Sequence, residues 1–442
     1  MIGEIIAAVI PLFPVIGVAA IGVFLSRIAS GLWLNPFTVF VSSWLPMLLV
    51  NISGWVTFNP LDNGFLLLAG SSIVAFFLGC ISGSSKSLFS SDLSTFPKPA
   101  NTMTVHPLRF LRLLHITGVI ALTGFLGFTA AAIWQIGWRG LLLNPGVLRT
   151  AMALDTFVDP LKMLNYANLV FPVLVVIGHV TQGGLSRRWW LLAAFSAATN
   201  VLSTGRTKVF WVGLWMLFTF LISRHRLSTR RIILFPIIIG IILMITFSGM
   251  AVWIGKVFSP QEISLYASES PEIFTPTISY FYYLGTNLPY LQEVVAEGMT
   301  TELPLGNSLL PFYKTLALLP FDPPLPVPSE ILEFKPLPRI ANTGTWLVQW
   351  YRDFGLSGLV LMPFLVGLVI SRFISRDYLP ANDPLRLYLG GLLLYFVWAG
   401  FQGNKFISTP TWIFVLLGCP AMIWIRIRPS EGTLINTSII LH

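Results

Sequence analysis

Two short stretches of the chain combine residue types suited to binding an anion and accepting a proton. In the first, 203–208, a glycine precedes Arg206 and Lys208 follows closely. Glycine permits a close backbone approach at a helix start, and the planar guanidinium of arginine matches phosphate oxygens in a bidentate way. The second stretch, 342–358, places Asp353 beside an arginine. Such a pair could stabilise a leaving anion and act as a general base.

The elements that position these residues must be membrane helices. Of the 442 residues, 55% are hydrophobic and 10% are charged, whereas a soluble domain carries about 25% charged residues. This composition excludes an ordinary soluble enzyme and a disordered chain. Cys80 and Cys419 lie inside apolar runs, and neither a P-loop nor an HExxH motif is present. We therefore predict no disulfide framework, no metal site and no cofactor.

Apolar segments of the length that a bilayer core requires, about 20 residues, recur along the chain. We predict eleven spans, at 4–26, 33–56, 64–83, 113–135, 161–181, 189–203, 207–223, 232–256, 356–374, 385–402 and 409–426. The sixth and seventh are short and adjacent, which predicts a tight helical hairpin. The expected fold is all-α and polytopic, with an N-terminal bundle of about eight spans at 1–256, one large periplasmic loop at 257–355 and about three C-terminal spans at 356–442.

The distribution of Lys and Arg orients these spans. With the N-terminus outside, 16 basic residues against four acidic ones give +12 inside, and the remaining 11 against 14 give −3 outside. The overall net charge of +9 is thus a topology signal, and we predict no nucleic-acid partner. The large loop and the 203–208 hairpin lie outside, and the C-terminus lies inside.

Several cations run against this rule, because they lie outside and close to the spans. They are Arg139, Arg149, Lys162, Arg206, Lys208, Arg339, Arg352 and Lys405. A charge at membrane depth costs about 3 kcal/mol on insertion scales, so such residues usually face a cavity or a partner. Individually they could instead reach the interface or pair with Asp155, Asp159 or Asp353; as a group they favour an anion-binding cavity.

Two further features of the large loop have alternative interpretations. Asp353 could be a base or an acceptor for sugar hydroxyls, or it could only cap the helix predicted at 356–374. The segment Ile278–Val295 is helical in pattern and rich in Tyr and Phe. Such a helix could anchor at the membrane interface or stack against sugars, and we favour the interface.

The order of three motifs resembles that of a known family. The hairpin Ser203–Thr207 resembles the small-residue–Gly–Arg hairpin of bacterial O-antigen polymerases, the Wzy-type oligosaccharide repeat-unit polymerases. The stretch Asn342–Gly358 resembles their Asn-x-x-Thr … Tyr-x-Asp-Phe-Gly-x-x-Gly segment, which precedes a late span. Leu141–Arg149, with Asn144-Pro145, resembles their outer-loop pattern after a mid-chain span. The resemblance covers about residues 113–375.

The resemblance implies a glycosyltransferase of the bacterial inner membrane, with a periplasmic N-terminus and a cytoplasmic C-terminus. Such enzymes polymerise undecaprenyl-pyrophosphate-linked oligosaccharide repeat units into O-antigen or a related polysaccharide, in some systems with a chain-length regulator. Carried over to this sequence, Asp353, Arg206 and Arg352 would be catalytic. The residues expected to bind substrate are Arg149, Arg139, Lys208, Arg339, Asn342 and Tyr351.

Three other functions remain open on the sequence alone. An O-antigen ligase uses the same donor, but that class often has an outer-loop histidine, and here the large loop has none. A transporter or lipid flippase would show internal repeats and mid-span charges, and neither is evident. A dolichyl-type glycosyltransferase usually needs an acidic pair in the first outside loop, which here offers only Asp62.

The topology can be tested directly. Reporter fusions at Ser228 and Ser308 should report the cytoplasm and the periplasm respectively, because the charge bias places the first inside and the second outside. The reverse result would overturn the assignment of every outside cation.

Overall fold

The computed structural model describes residues 13–84, 104–143, 159–202, 206–223, 259–267, 277–317, 344–374 and 383–427, without Glu302, Pro304 and Asn404, and adds 244–246, 248–249, 335 and 337. The helices, in chain order, are α1 Phe13–Ser30, α2 Pro36–Ser53, α3 Asn63–Ser84, α4 Pro107–Leu143, α5 Asp159–Asn165, α6 Ala167–Thr181, α7 Arg187–Leu202, α8 Arg206–Ser223, α9 Pro260–Tyr266, α10 Ile278–Gly285, α11 Asn287–Ala296, α12 Leu310–Leu316, α13 Trp346–Phe354, α14 Gly358–Ile374, α15 Pro384–Ala399, α16 Thr409–Ile413 and α17 Cys419–Ile425.

The predicted all-α membrane fold is confirmed. Within the described part of the chain, seven helical segments are long and apolar enough to cross a bilayer, namely Phe13–Ser30, Pro36–Ser53, Asn63–Ser84, Pro107–Gly140, Met163–Thr181, Trp346–Ile374 and Pro384–Gln402. Two shorter apolar helices, Phe210–Ser223 and Pro410–Ile425, coincide with the predicted seventh and eleventh spans. The predicted eighth span, 232–256, falls almost wholly outside the described residues, and the total of eleven stays a prediction.

One end of the bundle is closed by a small sheet and an ion pair, and we call it the strand end. Strands β1 (Thr104–Val105) and β2 (Arg426–Ile427) pair antiparallel there. Arg426 Nη2 lies 2.6 Å from Oδ2 of the buried Asp383. Asp383 also caps α15 by accepting hydrogen bonds from the backbone N–H groups of Leu385 and Arg386. The ion pair thereby fixes β2 to the start of α15.

The opposite end carries the segments predicted to lie outside, and we call it the loop end. It comprises the start of α8, the end of α13 and residues 400–403 and 405–408. The direction of each helix follows from its contacts. Trp215 of α8 donates a hydrogen bond to the Tyr388 carbonyl, and Trp211 stacks on Tyr395. The pairing runs in opposite directions along the two helices, so α8 begins where α15 ends.

Helices α3 and α14 run parallel with their backbones in contact. A Cβ at Gly79 would lie 2.1 Å from the Phe364 carbonyl oxygen, and one at Gly83 would lie 2.2 Å from that of Leu368. Small residues at such positions allow the backbones of membrane helices to approach closely. In a bilayer the hydrophobic effect does not drive helices together, so the dispersion contacts made at this short distance hold them. This closely packed pair of helices adjoins the loop end, where α14 begins.

The aromatic segment Ile278–Val295 is helical as predicted, and its position relative to the membrane interface stays a prediction. It forms α10 and α11, and most of its residues are buried within the protein. Asn51 Nδ2 donates a 2.9 Å hydrogen bond to the Gly285 carbonyl, and Phe58 stacks on Tyr282 with 5.6 Å between ring centroids. The aromatic residues serve to pack the loop onto the end of α2.

The contact between α3 and α14 gives a stability prediction. Gly79→Ala should destabilise the protein by about 1–3 kcal/mol, because the new Cβ must push two backbones apart. Gly70→Ala on the same helix is the matched control, since a Cβ there meets no atom within 4 Å and alanine favours helix over glycine. Thermal unfolding in detergent measures both variants. Equal melting temperatures for the two would show that the close packing is not required.

Candidate functional site

Helix α13 begins inside the bundle and ends at the loop end. Thr345 caps its start by accepting a hydrogen bond from the Leu347 backbone N–H at 3.2 Å. The buried ring of Trp346 packs 5.6 Å from that of Phe76 and 6.0 Å from that of Phe40, measured between centroids. Non-helical backbone at membrane depth is tolerated only where protein surrounds it. The aromatic cage around Trp346 provides that surrounding.

A tight reversal joins α13 to α14. Gly355 has a φ of +60°, which side-chain-bearing residues rarely adopt. Gly358 begins α14, as predicted, and a Cβ on it would lie 2.2 Å from the Trp350 carbonyl oxygen. The two glycines therefore let α14 return alongside α13. This reversal holds Tyr351, Arg352 and Asp353 in the last turn of α13.

The carboxylate of Asp353 holds the loop that precedes α12. Its Oδ1 accepts hydrogen bonds from the backbone N and the side-chain Nδ2 of Asn307, both at 2.9 Å, and its Oδ2 accepts one from the Ser308 backbone N at 2.6 Å. Asp353 is therefore not only a cap of α14, because its carboxylate binds Asn307 and Ser308 in the loop that precedes α12. Sequence reasoning missed Asn307, whose partner is 46 residues away.

Two further hydrogen bonds join the end of α13 to the large loop. The Thr301 backbone N–H donates to the Arg352 carbonyl at 2.8 Å, and Tyr351 Oη donates to the Val295 carbonyl at 3.3 Å. Nearby, the nearly buried Lys335 forms an ion pair with Glu297 and also contacts Met299 Sδ at 3.3 Å. Arg352 is thereby held on a braced turn at the loop end.

A buried polar network positions the second cationic segment. Asn168 on α6 donates from Nδ2 to the Ala121 carbonyl of α4 at 2.9 Å and to Asn165 Oδ1 at 2.8 Å. Its Oδ1 accepts a 2.7 Å hydrogen bond from Ser196 on α7, and Asn200 Nδ2 donates to its carbonyl at 3.3 Å. Polar residues within spans are expensive and usually functional. Here the network fixes the end of α7, and α8 begins four residues after it.

Lys208 in the first turn of α8 lies over the ring of Tyr166, with 5.0 Å from Nζ to the ring centroid. A cation in this position is held by the ring quadrupole. Helices α7 and α8 end and begin at Leu202 and Arg206, which confirms the two short helices predicted there. The side chain of Arg206 and the connecting residues lie outside the described part of the chain.

Of the remaining predicted substrate-binding residues, the structure describes only the side chain of Arg139, which does not join this arrangement. Arg139 is exposed on α4, and its guanidinium carbon lies 5.7 Å from the centroid of the Trp138 ring. Arg149, Arg339 and Asn342 lie outside the described residues, and so does the side chain of Lys162. The predicted substrate-binding roles of these residues stay predictions.

The hydrogen bonds of Asp353 give a prediction for the loop. Asp353→Asn removes the charge and one acceptor, and hydrogen bonds to charged groups contribute about 1.5–3 kcal/mol. Amide hydrogen exchange at Asn307 and Ser308 should therefore accelerate about tenfold or more, which corresponds to about 1.4 kcal/mol. Asp62→Asn is the control, because Asp62 Oδ2 makes equivalent bonds to Gly64 N and Phe65 N. Exchange at 307–308 unchanged in Asp353→Asn would contradict the bracing role.

Comparison with known proteins adds no further assignment. No protein-family model, no curated protein and no solved structure matches this chain. The resemblance to O-antigen polymerases therefore rests on the sequence motifs alone.

Proposed function

We propose that this protein is a membrane glycosyltransferase that polymerises undecaprenyl-pyrophosphate-linked oligosaccharide repeat units at the outer face of the bacterial inner membrane. The observation that carries the proposal is the position of the two basic segments. Helix α8 begins with Arg206 and Lys208 at the same end of the bundle at which α13 ends with Arg352. The diphosphate of a lipid-linked substrate lies at the membrane surface, and binding this anion requires cations at the same level.

The reaction breaks the bond between the anomeric carbon of the growing chain and its diphosphate oxygen. A hydroxyl at the non-reducing end of a second lipid-linked repeat unit attacks this carbon and forms the new glycosidic bond. The lipid diphosphate leaves with the electron pair, and the hydroxyl proton passes to a base. Arginine forks at the loop end would stabilise the charge on the leaving group, and the first N–H groups of α8 add positive potential.

The role of Asp353 within this proposal follows from its contacts. An ionised carboxylate offers about four acceptor sites, and Asn307 and Ser308 together occupy three of them. We therefore assign Asp353 a positioning role, in which it fixes the 305–310 loop beside Arg352. Its predicted role as the base stays a second possibility, which requires a remaining lone pair to meet the acceptor hydroxyl.

The positions of the histidines favour a polymerase over a ligase. His106 follows β1 at the strand end, and His115 and His179 pack edge-to-face on Trp189 and Trp190. These tryptophans open α7, at the strand end of the bundle. Among the described residues no histidine lies at the loop end, where a ligase would use one.

The distribution of charge disfavours a transporter. In the described membrane helices, charged residues lie in or beside the terminal turns, as with Arg27 near the end of α1, Arg372 near the end of α14 and Arg386 near the start of α15. Ion-coupled transporters place charged or discontinuous elements near the bilayer midplane. Apart from Arg352 and Asp353, which lie where α13 turns back into α14, the described spans contain no charge away from their terminal turns.

Deletion of the gene tests the proposal. The glycan ladder of the deletion strain should collapse to core bearing a single repeat unit, because polymerisation alone is lost. Unmodified core without any repeat would instead indicate a ligase or an earlier step. An unchanged ladder, with the capsule and exopolysaccharide also unchanged, would contradict the proposal.

A substitution at the start of α8 tests the anion-binding role. Arg206→Lys should lose most of the polymer although the charge is kept, because lysine cannot make the bidentate contact. Arg27→Lys is the control, since Arg27 lies at the strand end and stacks on Trp33 at 3.8 Å. Complementation of the deletion strain, with protein levels measured by immunoblot, compares the two. Wild-type polymer from Arg206→Ala at normal protein level would remove Arg206 from the site.

A further inference from the structure

An apolar groove of about 660 Å³ opens on the side of the bundle between α1, α2 and α3. Its lining is aliphatic or aromatic throughout, and it includes Val18 and Gly22 on α1, Phe40 and Trp44 on α2 and Gly70 on α3. A soluble protein would rarely leave so large an apolar surface uncovered. On a membrane-facing side, hydrocarbon is the solvent, and the groove is shaped to receive a hydrocarbon chain.

The groove is open because α1 is attached mainly through its strand-end half. Gly22 approaches the Phe37 ring closely, and a Cβ there would lie 2.8 Å from Phe37 Cε1. Ser26 Oγ donates a 2.8 Å hydrogen bond to Asn35 Oδ1. Ser26 is the only buried residue of α1. The helix therefore stands away from its neighbours above this attachment, towards the loop end.

The length and direction of the groove suit one extended chain. The lining on α1 extends from Pro14 to Leu25, which is about 16 Å along a helix that rises about 1.5 Å per residue. This is about half of the ~30 Å hydrocarbon core of a bilayer. Pro14, Leu48 and Gly70 border the groove at its loop end, so a chain held there would emerge on the side of the cations.

One aromatic layer separates the groove from the candidate site. Phe40 and Trp44, which line the groove, also lie against Trp346, with 6.0 and 6.5 Å between ring centroids. Trp346 is the first residue of α13, and Arg352 lies six residues further along that helix, about 9 Å towards the loop end. The Phe40 and Trp44 rings thus contact the start of α13 on one side and line the groove on the other.

We propose that this groove binds the polyprenyl chain of the lipid-linked substrate. The inference rests on the proposed function, because that function brings a polyprenyl diphosphate to the cations of the loop end. The lipid chain, which stays bonded to the diphosphate, must then extend from it into the bilayer along the outside of the bundle. The groove provides an apolar path that begins at the loop end, with the Phe40 and Trp44 rings against the methyl branches of the chain.

Binding of radiolabelled undecaprenyl phosphate to the purified full-length protein tests the inference. The protein is placed in nanodiscs of phosphatidylethanolamine and phosphatidylglycerol, so that ordinary acyl chains compete in excess. Gly70→Phe should weaken binding at least fivefold, because a Cβ at Gly70 meets no atom within 4 Å and the ring would fill the groove. Gly17→Phe is the matched control, since Gly17 is an equally open glycine on α1 that does not line the groove.

The outcomes separate this inference from the proposed function. Saturable binding that is reduced in Gly70→Phe and normal in Gly17→Phe supports the groove, and a graded loss in Gly70→Leu guards against a folding defect. Non-saturable binding, or equal binding by both phenylalanine variants, overturns it. Because binding needs no turnover, an unchanged glycan ladder contradicts the polymerase proposal alone, and a collapsed ladder with normal Gly70→Phe binding contradicts the groove alone.

Discussion

The packing of Trp346 is the interaction on which the loop end depends. Its ring is enclosed by Phe40 of α2 and Phe76 of α3. Gly400 also lies against the ring, and a Cβ on it would come within 2.8 Å of Trp346 Cδ2. This cage surrounds the start of α13, where Gly344 and Thr345 are non-helical and the helix begins at Trp346. Trp346 thus lies between the start of α13 and the Phe40 and Trp44 rings that line the apolar groove.

Polar chemistry is divided between the two ends of the bundle for an electrostatic reason. A buried charge is tolerated when a partner and hydrogen bonds replace its hydration, and the strand end does this with Asp383 and Arg426. Between the ends, the polar network around Asn168 is uncharged and hydrogen-bonded. At the loop end, the described cations Lys208 and Arg352 are instead only partly buried.

The sequence predicted helices well because spans are determined locally. A run of about 20 apolar residues must form a helix in a bilayer to satisfy its own backbone, and α2, α3 and α15 begin and end within a few residues of their predicted limits. The burial of α10 and α11 against the end of α2 was not predictable in this way. Tyr and Phe suit both an interface and a protein core, and the contacts with Asn51 and Phe58 that decide between them come from more than 200 residues away.

The candidate site shows the same difference between features that depend on neighbouring residues and contacts that depend on distant ones. The amino-acid sequence by itself determined an all-α membrane protein, the two short helices that meet near Arg206 and the glycines around Asp353, because each depends on composition or on neighbouring residues. Only the tertiary structure decided what these residues touch. From the sequence, Asp353 could be a helix cap or a base, and the fold shows that it binds Asn307 and Ser308. Hydrogen bonds between distant segments depend on how helices pack, which residue spacing does not encode.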